Sequence, residues 1–288
     1  MNFYLSAINL GFAYCGMGLG IYITLRIFNI PDITTDGSYT LGAAISATLL
    51  SSGHSPFLVL PVVMAGGALA GTATGLIHTR MKIDPLLSGI LVMTALYSVN
   101  LSIMGRSDIP LISTVHITQV VRFIGNDDWR WMTVMVMFTV VLCLLTGWML
   151  GTDYGLAMRA TGNSEQMVRA MGVNTARMKV TGLAMANALT AVSGYLVCQY
   201  QGFTDINMGI GIVIFGLGAV MMGESLLGFT RLQSTGFHLV AVILGCVIFR
   251  VIIAAALTAG INPNWLKLVT AVLVLGVVAL PGIKNKLR

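Results

Sequence analysis

The sequence predicts an all-α polytopic membrane protein with about nine transmembrane helices (range about 8–10), and its composition and apolar runs carry this prediction. Of its 288 residues, 56% are hydrophobic and only 9% are charged, whereas a soluble domain has about 25% charged residues. This composition excludes a soluble enzyme and a disordered linker protein. The net charge of +6 does not indicate a nucleic-acid binder, because no Lys/Arg run is longer than the tail at 284–288.

Nine apolar stretches reach or approach the roughly 20 residues that a helix needs to cross a bilayer. They are 3–28, 38–52, 56–77, 86–104, 131–151, 180–200, 206–223, 236–257 and 265–280. The second is short and the seventh is rich in glycine, so either could be a re-entrant or broken helix.

The basic residues predict the orientation, because Lys and Arg favour the cytoplasmic side. With an external amino terminus, one set lies inside: Arg26, Arg80, Lys82, Arg159, Arg169, Arg177, Lys179, Arg231, Lys284, Lys286 and Arg288. A smaller set lies outside: Arg106, Arg122, Arg130 and Lys267. We therefore expect the amino terminus outside and the carboxyl terminus in the cytoplasm.

Two similar segments precede small-residue helices in the two halves of the chain. Residues 31–44 and 204–219 both contain Asp-Ile, then a polar step and glycine. Aligning them pairs spans one to four with spans six to nine, and the odd connector forces the halves to enter the membrane from opposite sides. Inverted repeats with broken helices are typical of transporters, although a glycine-rich span also serves close helix packing.

These patterns predict one transmembrane domain over 1–288. It is divided into a first repeat at 1–104, an outer loop at 105–130, a connector helix at 131–151, a cytoplasmic segment at 152–179 and a second repeat at 180–288.

The cytoplasmic segment predicts short helices joined by glycine at the membrane surface. Asn163, followed by Ser-Glu, has the pattern of an N-cap with an acid in the first turn, and Gly172 is suited to ending that helix. A second helix is expected to begin shortly afterwards and to lead into span six. Such a segment is suited to docking in a groove of a partner, or it simply connects two spans.

Residues 155–174, Gly-Leu-Ala-Met-Arg-Ala-Thr-Gly-Asn-Ser-Glu-Gln-Met-Val-Arg-Ala-Met-Gly-Val-Asn, carry a family resemblance. They resemble the coupling segment of the membrane permeases of ATP-binding-cassette (ABC) importers, in the branched-chain amino acid and ribose permease superfamily. The loop Pro-Asp-Ile-Thr-Thr-Asp-Gly-Ser at 31–38 is similar to one that precedes a small-residue helix there. The resemblance extends from about residue 10 to residue 282 and is closest to the tryptophan, tyrosine and related amino acid import permeases.

The resemblance implies a type II ABC importer-like fold in a bacterial plasma (inner) membrane, surrounded by lipid. It also implies a second copy of the chain, two cytoplasmic ATP-binding subunits and an extracytoplasmic solute-binding protein. The residues that it assigns to ATPase coupling are Gly155, Arg159, Ala160, Gly162, Asn163, Glu165, Ala170 and Gly172.

The sequence agrees with this division of labour. It contains no Gly-x-x-x-x-Gly-Lys-Ser/Thr loop to cradle ATP phosphates, so a partner must hydrolyse ATP. We therefore expect a non-catalytic, cofactor-free permease subunit for an amino acid or a similar small organic solute. An ion-coupled secondary transporter that works without an ATPase also fits inverted repeats. A membrane-embedded enzyme or a metal site does not fit, because His, Cys, Asp and Glu form no catalytic or metal-binding pattern.

Polar residues in or beside the spans are the candidates for the translocation path: Asp32, Thr35, Asp36, Ser38, Asp205, Asn207 and Arg250. Asp36 or Ser38 alone could instead cap a helix. An arginine within the membrane costs roughly 3 kcal/mol on insertion scales and usually faces a cavity or a partner. Arg250 therefore meets a substrate carboxylate or lines the outer vestibule, or it snorkels outward or pairs with an acid such as Asp205.

Two further surfaces are predicted. The outer loop offers Arg106, Arg122 and Arg130 for ion pairs with acids on a docking protein, although exposed loop charges are otherwise ordinary. Gly67, Gly71 and Gly75 form a small-residue face in span three that allows close helix approach, within the chain or with a second copy.

Overall fold

The computed structural model describes residues 3–111, 117–118, 127–227, 235–262 and 265–286, and the chain is predominantly helical over these ranges. The first half contains α1 (Phe3–Ala13), α2 (Cys15–Ile21), a π-helical segment (Tyr22–Ile27), α3 (Thr34–Ser51), α4 (Pro56–Met81), α5 (Pro85–Met104) and strand β1 (Asp108–Pro110). The rest contains α6 (Asp127–Gly151), α7 (Asp153–Asn163), α8 (Glu165–Ala170), α9 (Thr175–Gln201), strand β2 (Phe203–Asp205), α10 (Ile212–Leu227), α11 (Thr235–Thr258) and α12 (Leu266–Lys286).

Within the described ranges, six helical stretches are long and apolar enough to cross a membrane. They are Phe3–Ile27, Pro56–Met81, Pro85–Met104, Asp127–Gly151, Thr175–Gln201 and Thr235–Thr258. Each coincides with a predicted span, so the chain is an all-α polytopic membrane protein. The apolar helices Ile212–Leu226 and Leu266–Ala279 are shorter, and together with α3 they lie at the other three predicted stretches.

Local sequence signals explain where several helices begin and end. Proline occupies the first position of α4 and of α5, where its missing N–H has no intrahelical partner to lose. The Asp84 carboxylate caps α5 by accepting the N–H of Leu86 at 2.9 Å. Gly105 and Gly202 end α5 and α9 in the left-handed conformation.

Two predicted boundaries differ from the structure. The seventh stretch was expected to be helical from residue 206, but residues 206–211 form turns and α10 begins at Ile212. Asn163 is not an N-cap: it is the last residue of α7, and Ser164 is the N-cap of α8. Helix α7 itself was not predicted from the sequence. Its N-cap is Thr152, whose hydroxyl accepts the N–H of Gly155 at 3.3 Å.

Helix α9 is the centre of the bundle, and the glycine face of α4 packs on it. A Cβ at Gly67 would lie 2.5 Å from the carbonyl oxygen of Asn187, and one at Gly75 would lie 2.8 Å from the Cα of Val180. A Cβ at Gly71 would overlap the backbone of α9 in the same way. The small-residue face therefore contacts α9 of the same chain, which decides between the two predicted alternatives.

The connections lie at two opposite ends of the bundle. At one end, β1 pairs antiparallel with β2, with Ile109 opposite Thr204. At the other end lie α7 and α8, which immediately precede α9. Because α9 has 27 residues and rises about 1.5 Å per residue, roughly 40 Å separates these ends.

Candidate functional site

Asp36 joins the two halves of the chain inside the bundle. Its carboxylate lies in the first turn of α3 and is 7% exposed. It accepts the N–H of Gly211 at 2.8 Å and the N–H of Val213 at 2.9 Å. Asp36 therefore caps a helix, as one alternative predicted, but it caps α10 of the opposite half and not its own helix. The favourable position of an anion at a helix N-terminus explains the contact.

A second buried network contains Asp32, Ser38 and Asn187. The amide of Asn187 donates to Asp32 Oδ2 at 2.7 Å, and its oxygen accepts from the hydroxyl of Ser38 at 2.6 Å. Thr35 donates to the carbonyl of Asp32 at 3.0 Å. Asn187 lies on α9, so this network fixes the start of α3 against the central helix. The structure thus brings together three path candidates, with Asp36 bonded separately to α10.

The two similar segments make the same local turn. Asp32 Oδ1 accepts the N–H of Thr34 at 2.9 Å, and Asp205 Oδ1 accepts the N–H of Asn207 at 2.6 Å. Each aspartate accepts the N–H two residues ahead, which is the Asx turn that precedes many helices.

Arg250 lies on α11 beside a cavity of about 340 Å³ that the start of α10 and Lys267 of α12 also line. Its guanidinium carbon is 5.5 Å from the ring centroid of Tyr14, within the range of a cation–π interaction. Among the residues that the structure describes, Arg250 makes no ion pair with Asp205. Asp205 lies shortly before α10 in the chain. Arg250 lies near the start of α10 in space, because both line the same cavity.

The α7–α8 segment comprises residues 153–172, from the start of α7 to the two residues after α8, and several of its motif residues are directed into the protein. Gly155 is buried against the backbone of Leu150. Gly162 packs so closely on the carbonyl of Ile27 that a Cβ would overlap it. Arg159 donates from Nη1 to the hydroxyl of Thr235 at 2.7 Å. These three residues fix the segment to the bundle.

Glu165 holds α8 to the start of α9. Its carboxylate pairs with Lys179 at 2.6 Å and with Arg169 at 3.0 Å, and it accepts from the hydroxyl of Thr175 at 3.1 Å. The hydrogen bond from Lys179 is the main cause that lowers the pKa of Glu165 below its ordinary value. The carboxylate therefore stays charged to lower pH than an ordinary glutamate, and its contacts link α8 to the start of α9.

The outward face of the α7–α8 segment is partly apolar, which the motif did not predict. Met167 and Met171 are 64% and 63% exposed, although this end of the segment is otherwise polar. Asn163 and Ala170 are exposed beside them, Ala160 is half-buried, and Gly172 follows α8 at φ +85°. Methionine side chains are flexible and adapt to varied contacts.

The three arginines proposed for docking are differently placed. Arg106 is exposed in a bend after α5. Arg130 pairs with Asp127 within the first turn of α6 at 2.8 Å. Arg122 lies outside the described residues.

One ion pair was not predicted from the sequence. Arg26 Nε and Glu224 Oε1, on different helices, are 2.8 Å apart. A signal was present, because Glu224 is the one charged residue of α10. Its partner could not be found, since the two residues are far apart in the sequence.

The bundle combines membrane-length helices with buried polar networks at two helix breaks and a folded segment at one end. This is the architecture of a membrane transport permease. The family model for the permease component of branched-chain amino acid transport systems matches residues 3–278. The chain therefore belongs to this family of permeases.

Individual relatives have transport names. The chain is 37% identical over 273 residues to the tyrosine transport system permease protein of Clostridioides difficile, covering 94% of this chain and 89% of that protein. It is 23% identical over 303 residues to the galactose/methyl galactoside import permease protein of Salmonella typhimurium, covering 98% and 88%. The solved PsaBC complex of Streptococcus pneumoniae matches with 14% identity, 93% and 94% coverage and a TM-score of 0.39, which is too weak to guide the interpretation.

Proposed function

We propose that this permease forms the translocation pathway of an ABC importer for an amino acid, as a homodimer driven by two cytoplasmic ATP-binding subunits and supplied by an extracytoplasmic solute-binding protein. The observation that carries the proposal is the exposed apolar face of the α7–α8 segment. Its helices are fixed by Gly162, Arg159 and Glu165, while Met167 and Met171 face outward. A rigid segment with an exposed apolar face can transmit force from a partner without unfolding. A tyrosine permease as a relative favours an amino acid as the solute.

The proposed topology has nine spans in two inverted repeats, with the amino terminus outside and the α7–α8 segment in the cytoplasm. Equivalent helices have equivalent neighbours: α3 packs on α4 and α5, and α10 packs on α11 and α12. Likewise α4 packs on α9, and α11 packs on α1 and α2. The matching Asx turns at Asp32 and Asp205 support the same relation.

The proposed path follows the starts of α3 and α10, where Asp36 contacts the α10 N-terminus and Arg250 borders the cavity. An arginine above an aromatic ring is a suitable partner for a solute carboxylate. Asp32, Thr35 and Ser38 hold α3 in place beside this path, and Asp205 and Asn207 shape the turn before α10.

The experiment that tests the proposal purifies the tagged chain from its own bacterial membranes in mild detergent and measures the ATPase that elutes with it. We expect an ATP-binding subunit to co-purify in equal amount with the chain. Met167→Glu should remove it, because a carboxylate would be buried without a partner in the interface.

Met81→Glu is the matched control, since Met81 is 66% exposed at the end of α4, which lies at the same face in the proposed topology. This variant should retain the ATPase. The proposal is rejected if no ATPase elutes with the wild-type chain, or if the isolated chain takes up L-tyrosine without ATP.

A further inference from the structure

An ion pair joins the first membrane helix to the end of α10. Arg26 Nε lies 2.8 Å from Glu224 Oε1, and the two side chains are 59% and 23% exposed. Glu224 lies in the last turn of α10, where the helix dipole disfavours an acid. Helix stability therefore does not explain this glutamate, whereas its pairing with another helix does.

Arg26 belongs to the π-helical segment Tyr22–Ile27, a type of wide turn that is frequent at functional sites. The next residue, Ile27, receives the close contact of Gly162 at the end of α7. Asn29 also donates to the carbonyl of Gly162, at 3.5 Å. The end of α7 thus touches the backbone directly beside Arg26.

The same helix also contacts α11. Arg159 of α7 bonds to Thr235 at the start of α11, the helix that follows α10. Movement of α7 would therefore act directly on the backbone beside Arg26 and on α11, which packs against α10.

Helix α10 is held at both ends by side chains of the first half. Asp36 binds the N–H groups of Gly211 and Val213 at its start, and Arg26 binds Glu224 at its end. The 11 residue-to-residue steps from Val213 to Glu224 correspond to about 16 Å of helix. Breaking the Arg26–Glu224 attachment would release the end of α10 from the first helix, while Asp36 would still hold its start.

We propose that the Arg26–Glu224 pair is an inner clasp that holds α10 against the first helix, and that movement of the α7–α8 segment opens it to link ATP hydrolysis to solute passage. Arg26 and Glu224 are positioning residues in this scheme, since they act on the pathway through α10. The inference rests on the proposed importer function.

The test uses the chain reconstituted in liposomes with its ATP-binding subunits and its solute-binding protein, with L-tyrosine as the probe. Its readout is the ATP hydrolysed per L-tyrosine imported. Glu224→Gln and Arg26→Gln should each raise this ratio at least about fivefold, the lower range of coupling between sites. Asp84→Asn removes an exposed acid at the start of α5 and keeps an oxygen that can accept the N–H of Leu86, so it should leave the ratio unchanged.

The double variant separates a clasp from two independent defects. If the two residues act as one pair, Arg26→Gln with Glu224→Gln should have the same ratio as either single variant, since the second change removes nothing further. Wild-type ratios in the single variants, or additive defects in the double variant, would overturn the clasp while leaving the importer function intact.

A second measurement needs no transported solute. In a chain whose native cysteines are replaced by alanine, a bifunctional thiol reagent with a spacer should join Arg26→Cys and Glu224→Cys readily in the nucleotide-free complex and much less when a hydrolysis-deficient ATPase holds ATP, because the two long side chains that met at 2.8 Å leave a gap between shorter cysteines. Equal cross-linking in both states contradicts the clasp. If no ATPase binds the chain at all, the proposed function itself fails, which is a distinct result.

Discussion

Replacing Asp36 with asparagine is expected to weaken the attachment of α3 to α10. The carboxylate accepts two backbone N–H bonds, at 2.8 and 2.9 Å, and is almost fully buried. Asparagine has one acceptor oxygen, so one bond is lost and an amide N–H faces a backbone N–H. A hydrogen bond to a charged group contributes about 1.5–3 kcal/mol, so we expect a loss of about 2–3 kcal/mol in the free energy of unfolding.

Equilibrium unfolding by SDS titration in mixed micelles measures this loss. Asp205→Asn is the control, because an asparagine oxygen can still accept the N–H of Asn207 in an Asx turn. Its stability should stay within about 0.5 kcal/mol of the wild type, the usual range for a harmless substitution. An Asp36→Asn protein that is equally unaffected would refute the view that Asp36 joins the two halves.

The other predictions concern packing, charge and the pathway. Gly71→Ala should destabilise the protein by about 1–3 kcal/mol in the same titration, because the added methyl group overpacks on α9. Gly276→Ala is the control and should be neutral or slightly stabilising, since no atom lies within 4 Å of its added Cβ. The carboxyl of Glu165 has a lowered pKa in the folded chain, so its charge stabilises the fold above the unfolded pKa. This stabilisation is lost as the pH falls through the folded pKa. The difference in free energy of unfolding between wild type and Glu165→Gln should therefore be clear at pH 7 and vanish in acid, below the ordinary pKa of 4.5. Arg250→Gln should reduce ATP-driven L-tyrosine uptake about tenfold, equal to ~1.4 kcal/mol, and Arg250→Lys less; equal uptake by wild type and Arg250→Gln would remove Arg250 from the pathway.

Much of the fold could be predicted because it depends on local composition. The long apolar runs match the membrane-length helices, and helix ends follow from residues such as Pro85 and Gly202. Helix α7 was missed because its start depends on one weak signal, the Thr152 cap, in a polar stretch. The start of α10 was misplaced because residues 206–211 are apolar or small, so hydropathy alone does not distinguish these turns from helix.

The candidate site was predicted less completely, since its contacts join distant parts of the chain. The sequence marked Asp36 as a possible cap but did not indicate that it caps α10, 175 residues away from it at Gly211. The motif around Gly162 was singled out as a partner surface, yet the glycine itself packs on Ile27. The motif also did not indicate that Met167 and Met171 are exposed. Residue types show which side chains are unusual, while their roles depend on the tertiary contacts.

The most direct test of the central claim is L-tyrosine uptake into liposomes that contain the chain with and without its ATP-binding subunits. The account predicts uptake only when the ATP-binding subunits, ATP and the solute-binding protein are all present, and none when an ion gradient is imposed on the chain alone. Uptake driven by an ion gradient in liposomes containing only this chain would contradict it.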